Sequence, residues 1–137
     1  MEVNQVSGIV VDAAMKVHSA LGPGLLESAY QTCLIRELRK RDLRVESQVP
    51  ISVIYDGETL DVGYRADLIV EAVVLVELKS VEAVLPVHKA QLLSYLRLSG
   101  KQVGLLINFN VEHLRDGIKR VINSRPRFSA LSASSVL

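Results

Sequence analysis

The stretch that most constrains this chain is GYRADLIVEAVVLVELKS, residues 63–80. Its runs of valine, leucine, isoleucine and alanine read as two buried strands, over about 60–70 and about 73–79. Yet Asp67, Glu77 and Lys79 stand where a pure core would carry more valine. An unpaired charge in a low-dielectric core costs several kcal/mol, comparable with much of a small domain's net stability. Something must compensate for these three.

Side chains alternate faces along a strand, so Glu77 and Lys79 point to one side. Asp67 joins them if the loop at 70–73 pairs position 67 with 77. A two-residue turn at Glu71-Ala72 would instead pair 67 with 76 and require a bulge. One compensation is structural, with Lys79 bridging Asp67 or Glu77 at the edge of the sheet. The other is chemical. Two carboxylates offer hard oxygens to a divalent cation such as magnesium, which keeps several waters and lowers the pKa of one to yield a hydroxide nucleophile. The Lys79 ammonium then positions that water or stabilises charge developing on the phosphoryl group.

The remaining sequence supplies covering layers for such strands. Val6, Ile9, Val10, Ala13, Ala14, Val17, Ala20 and Leu21 keep helical spacing over 4–21, and GPG at 22–24 stops that helix. A second helix is predicted from Leu25 to about Leu43. Pro50 and Asp56-Gly57 bracket ISVIY, a strand ending in a hairpin signal. Pro86 suits the first turn of a helix over 86–99, and QVGLLINF follows as another buried strand. In VEHLRDGIKRVI the spacing of Leu114, Ile118, Val121 and Ile122 slightly favours a helix over a turn and an edge strand. The order α-α-β-β-β-α-β predicts an α/β fold, a mixed sheet covered by helices. At 137 residues one domain is expected, over 1–123, with a flexible serine-rich tail over 124–137.

Charge narrows the partners only slightly, because 16 basic and 15 acidic residues nearly cancel. Any electrostatic footprint must be local. Arg36, Arg39, Lys40, Arg41 and Arg44, or Lys119, Arg120, Arg125 and Arg127, could contact phosphates or simply form solvated faces. The single cysteine, Cys33, excludes an internal disulfide and fits a small buried thiol. MEVNQVSGIV lacks a basic run before an apolar block, and no apolar stretch reaches about 18 residues. A cytoplasmic location is therefore expected, with no membrane partner. No phosphate-binding glycine loop, zinc spacing or serine triad can be assembled. His18 and His88 could line a cleft, and His113 is unassigned.

GLLESAY (24–30), RADLIV (65–70), VELKS (76–80) and QLLSYL (91–96), in this order, resemble the GxxExxY family, a small branch of the PD-(D/E)XK nuclease superfamily. The resemblance spans about residues 5–123, with Ala66 standing where the superfamily's name has proline. It implies a restriction-endonuclease-like core with a mixed four- to five-stranded sheet, and it shifts the last segment towards an extra edge strand. It implies that Asp67 and Glu77 are metal-binding acids, Lys79 the catalytic lysine, and Glu27 the helix glutamate that completes the metal site. Gln91 and Tyr95, four residues apart on one helix face, match a Q-x-x-x-Y element that holds substrate and catalytic residues. The implied activity is Mg2+-dependent hydrolysis of nucleic acid, DNA above all, with Mn2+ as a substitute. To grip both strands of a duplex, so small a domain would need a second copy, as a homodimer, or a separate specificity partner. The rival is a nuclease-like module without turnover that binds nucleic acid or a protein partner.

Overall fold

The amphipathic spacing at the start of the chain forms α1 (Val3–Leu21), whose buried stripe includes Val6, Val10, Ala13, Ala14 and Val17. A reciprocal cap opens it: Asn4 N–H donates to the Glu2 carboxylate at 2.8 Å, and Glu2 N–H donates to Gln5 Oε1 at 3.3 Å. The computed structural model describes residues 1–124, so the flexible tail expected over 124–137 lies, apart from Ser124, outside the described residues.

The second helix, α2 (Glu27–Lys40), begins later than its hydrophobic spacing suggests. The Tyr30 hydroxyl takes the Leu25 N–H at 3.1 Å and donates to the Gly22 carbonyl at 2.5 Å. Leu26 is thereby held extended, and Glu27 becomes the first helical residue. The helix stops before Leu43, at a left-handed Asp42 with φ 62°.

Five strands form one mixed sheet in sequential order: β1 (Val45–Tyr55), β2 (Glu58–Val70), β3 (Val74–Lys79), β4 (Val103–Asn108) and β5 (Ile118–Ile122). β1 starts at Val45, well before Ile51, because it pairs with β2 from Val45 opposite Val70 onward. Asp56 and Gly57 both take positive φ, the two-residue turn whose twist suits a hairpin. The next turn has three residues, with Glu71 and Ala72 left-handed and Val73 N–H bonded to the Val70 carbonyl. Its ladder sets Leu68 opposite Val76, which carries position 67 opposite 77.

The third helix, α3 (Pro86–Ser99), carries the chain over the sheet so that β4 lies parallel to β3. α1 and α2 cover one face, packing on Leu68, Val70, Val74, Val76, Leu78, Leu105 and Ile107. Beneath α3 lie Ile51, Ile69, Leu75 and Leu106 with Leu92, Tyr95 and Leu96. After β4 the chain makes a 3-10 turn at Leu114–Gly117 and returns as β5, so the helical spacing of 111–122 is overridden. A helix there would leave the outer edge of the fully buried β4 without backbone partners, whereas β5 pairs from Ile107–Ile118 to Val103–Ile122. No helix among the described residues is long and apolar enough to cross a membrane.

Candidate active site

The strict alternation of side chains fails at one place in the sheet. Along β1, Val45 packs beneath α1 and α2, whereas Val49 and Ile51 pack on the α3 side. Between them Gln48 takes φ 51°, a left-handed conformation rare in a non-glycine strand residue. On β2 the same switch separates Leu68 from Ala66. Asp67 lies at this switch, and the β2–β3 ladder stops just short of it at Leu68 and Val76.

Past that point carboxylates replace the ladder. Asp67 N–H donates to Glu77 Oε1 at 3.0 Å, and Leu78 N–H donates to Asp67 Oδ2 at 2.8 Å. Asp67 Oδ1 accepts from Gln48 Nε2 at 3.3 Å. The structural alternative for Lys79 fails on two counts. β3 is the middle strand rather than an edge, and among the described residues Lys79 makes no ion pair with Asp67 or Glu77.

Electrostatics links the surrounding elements to these acids. Burial pushes the Glu77 carboxyl up to about 8, reinforced by the Asp67 charge and opposed by the Asp67 N–H and by Lys79. Glu27, at the start of α2, is also raised by partial burial, with Lys79 and His88 opposing and Asp67 reinforcing. Tyr95 on α3 is raised by burial, then by Glu77, Tyr64 and Asp67. Gln91 Nε2 donates to the Tyr95 hydroxyl at 3.3 Å. Glu27, Lys79 and Tyr95 thus act electrostatically on the Asp67–Glu77 pair where β2 and β3 part, and Gln91 joins them through Tyr95.

Residues 4–121 match the family model of the PD-(D/E)XK nuclease superfamily. The chain belongs to that superfamily. No curated protein and no solved structure matches it. PD-(D/E)XK proteins are in general hydrolytic nucleases that act on nucleic acid with divalent metals, and the mixed five-stranded sheet between helices is their restriction-endonuclease-like fold.

Several residues beyond the predicted site residues hold this PD-(D/E)XK site together. Ser80 Oγ donates to the Leu25 carbonyl at 2.5 Å, fastening the end of β3 to the approach to α2. The buried Asn108 side chain accepts from Val81 N–H and Asn110 N–H and donates to the Val81 carbonyl. Phe109 N–H bonds the Lys79 carbonyl at 2.9 Å, and its ring stacks on Tyr30 at 4.4 Å. Asn108 had a legible signal, a polar residue closing an apolar run. Gln48 had none, since nothing in SQVP announces a left-handed glutamine.

Of the histidines, His18 is buried and tied through Nε2 to the Val111 carbonyl at 2.8 Å, a structural tether. His88 accepts the Leu85 N–H at Nδ1 in the first turn of α3. His113 lies exposed beside Glu112. The basic run on α2 is mostly engaged: Arg41 pairs with Asp12 and Glu37, Lys40 with Glu37, and Arg39 donates to the Val45 carbonyl. Cys33 is half-buried against the larger core.

The donor set fits a hard dication. Asp67 commits one lone pair on each oxygen and keeps the other, and Glu77 Oε2 accepts no hydrogen bond from the described residues. A cation would also offset the burial and the Asp67 charge that raise the Glu77 carboxyl. Among the described residues no three of His, Cys, Asp and Glu converge as a ligand cluster, so in this conformation Glu27 stands near the pair without closing a three-carboxylate set.

Proposed function

We propose that this chain is a metal-dependent nuclease of the GxxExxY branch, hydrolysing phosphodiester bonds in DNA. The observation that carries the reading is the Asp67–Glu77 pair, two carboxylates cross-bonded where the ladder opens, one of them buried. Folding alone is better served by apolar residues there.

Asp67 and Glu77 would hold Mg2+, or Mn2+ in its place, since a dication that keeps several waters needs few carboxylates. Such an ion supplies a hydroxide-forming water and neutralises both acids. Lys79 shares the Glu77 side of β3 and makes no ion pair there, so its N–H donors serve the attacking water and the charge gathering on the phosphoryl oxygens. Tyr95 accepts from Gln91 and, raised by burial beside the acids, keeps its O–H as a donor. Glu27, whose carboxylate feels Lys79 and Asp67, would help hold the ion from the start of α2. The protein works in the cytoplasm and engages both strands of a duplex as a homodimer or with a specificity partner.

The test is a cleavage assay with Mn2+ or Mg2+ on single- and double-stranded DNA and RNA, run beside Lys79→Ala and Asp67→Ala. Metal-dependent cleavage is expected to fall by about 100-fold or more in each variant, with folding intact. Activity retained in both variants, or absent from the wild type on all four polymers, would overturn the assignment.

A further inference from the structure

We propose that Gln48 is a positioning residue that locks the Asp67 carboxylate before any metal arrives, and that the sheet carries a left-handed kink in order to aim it. The inference rests on the nuclease reading above.

Position 48 is itself exposed, so its own burial does not account for the kink that moves Val49 and Ile51 to the α3 side, and glutamine is not a residue that favours φ 51°. The register is kept across the kink: Ser47 stays opposite Leu68 and Val49 opposite Ala66. What the kink achieves is a contact. Both hydrogens of the Gln48 amide are used, one on Asp67 Oδ1 at 3.3 Å and one on Gln31 Oε1 at 3.1 Å. A reversed amide would set its oxygen against Asp67 Oδ1, so the carboxylate fixes the orientation.

Asp67 is thereby gripped from both neighbouring strands, by the Leu78 N–H of β3 on Oδ2 and by the Gln48 side chain of β1 on Oδ1. Each oxygen keeps a lone pair for a cation, and the carboxylate plane no longer has to be ordered when one binds. Gln31 reaches the same point from α2, four residues beyond Glu27, and so couples the helix to the β1 side chain that grips Asp67. Partners of this kind orient metal ligands and tune their affinity.

Gln48→Gly separates positioning from stability, because glycine adopts the left-handed backbone freely. Three quantities are measured on purified wild type, Gln48→Gly and Gln48→Asn: Tm in EDTA, Mn2+ affinity by calorimetry, and Mn2+-dependent cleavage of DNA. For Gln48→Gly the expected result is a Tm equal to or above wild type, with Mn2+ affinity and cleavage each reduced about 10- to 100-fold. Gln48→Asn tolerates the kink but is one methylene short, and should lose affinity in the same direction. Affinity and cleavage within about twofold of wild type in Gln48→Gly would overturn the inference, as would a lowered Tm accompanying the loss, which assigns the residue to folding. A wild type that binds no Mn2+ and cleaves nothing refutes the nuclease reading and this inference together. A silent Gln48→Gly in an active wild type refutes this inference alone.

Discussion

Glu77→Gln should stabilise the metal-free protein, and only at high pH. Glu77 is 7% exposed, and its carboxyl is moved from 4.5 up to about 8 by burial and by Asp67. A raised folded-state pKa means that the native state holds its proton longer than the unfolded chain does. The stability this lends is fully present below about pH 4.5 and is lost as pH rises through about 8. At about 1.4 kcal/mol per pH step, the wild type loses roughly 3 kcal/mol between about pH 5 and pH 8, on the order of 10 °C in Tm. Glutamine cannot ionise, yet it keeps an oxygen for the Asp67 N–H. Urea titrations of wild type and Glu77→Gln in EDTA, across that range, should show nearly equal stability at the acid end and a growing advantage for the variant towards the basic end. Adding Mg2+ should restore the wild type by binding its native state, while the variant, short of a ligand, gains little. A stability difference that does not change with pH, or that shrinks as pH rises, would refute the argument that Glu77 carries a buried, repelled charge.

Other perturbations probe the scaffold. Tyr30→Phe keeps the stack on Phe109 but strips the partner from the Gly22 carbonyl and the Leu25 N–H, and should cost about 1–3 kcal/mol by urea denaturation; an unchanged midpoint would show that the GPG turn does not depend on that hydroxyl. Gly117→Ala would place a methyl 2.2 Å from the Asn108 carbonyl oxygen, where backbone cannot yield, so a loss of about 3 kcal/mol or more is expected, and a wild-type melting curve would contradict it. Ser80→Ala unties β3 from the approach to α2 and should lower cleavage several-fold while costing about 1 kcal/mol or less, as read by parallel rate and melting measurements; full activity would show that Glu27 is placed without the tether.

Most of the layered fold is written in local pattern. The spacing of Val6, Val10, Ala13 and Val17 specifies α1, Pro86 and Gly100 bracket α3, and Asp56-Gly57 sets the first hairpin, each through interactions within a few residues. The segment 111–122 was illegible for the opposite reason. Its apolar spacing suits a helix in isolation, and the open edge of β4 outweighs that preference only once β4 is in place. The start of α2 likewise depends on where the Tyr30 hydroxyl lands, which no periodicity reports.

By itself the sequence determined the α/β class and the side of β3 on which Glu77 and Lys79 stand, because alternation along a strand and spacing along a helix are properties of the backbone alone. It also marked Asp67, Glu77 and Lys79 as charges that a core must account for. Only the tertiary structure decided that β3 is the central strand, that a three-residue turn sets 67 opposite 77, and that the ladder opens there so each carboxylate bonds the other strand's backbone. Only it revealed Gln48, whose left-handed backbone and contact with Asp67 depend on two strands and a helix meeting at one point. Register, strand order and a side chain's partners are set by which surfaces pack together, and that is a property of the whole chain.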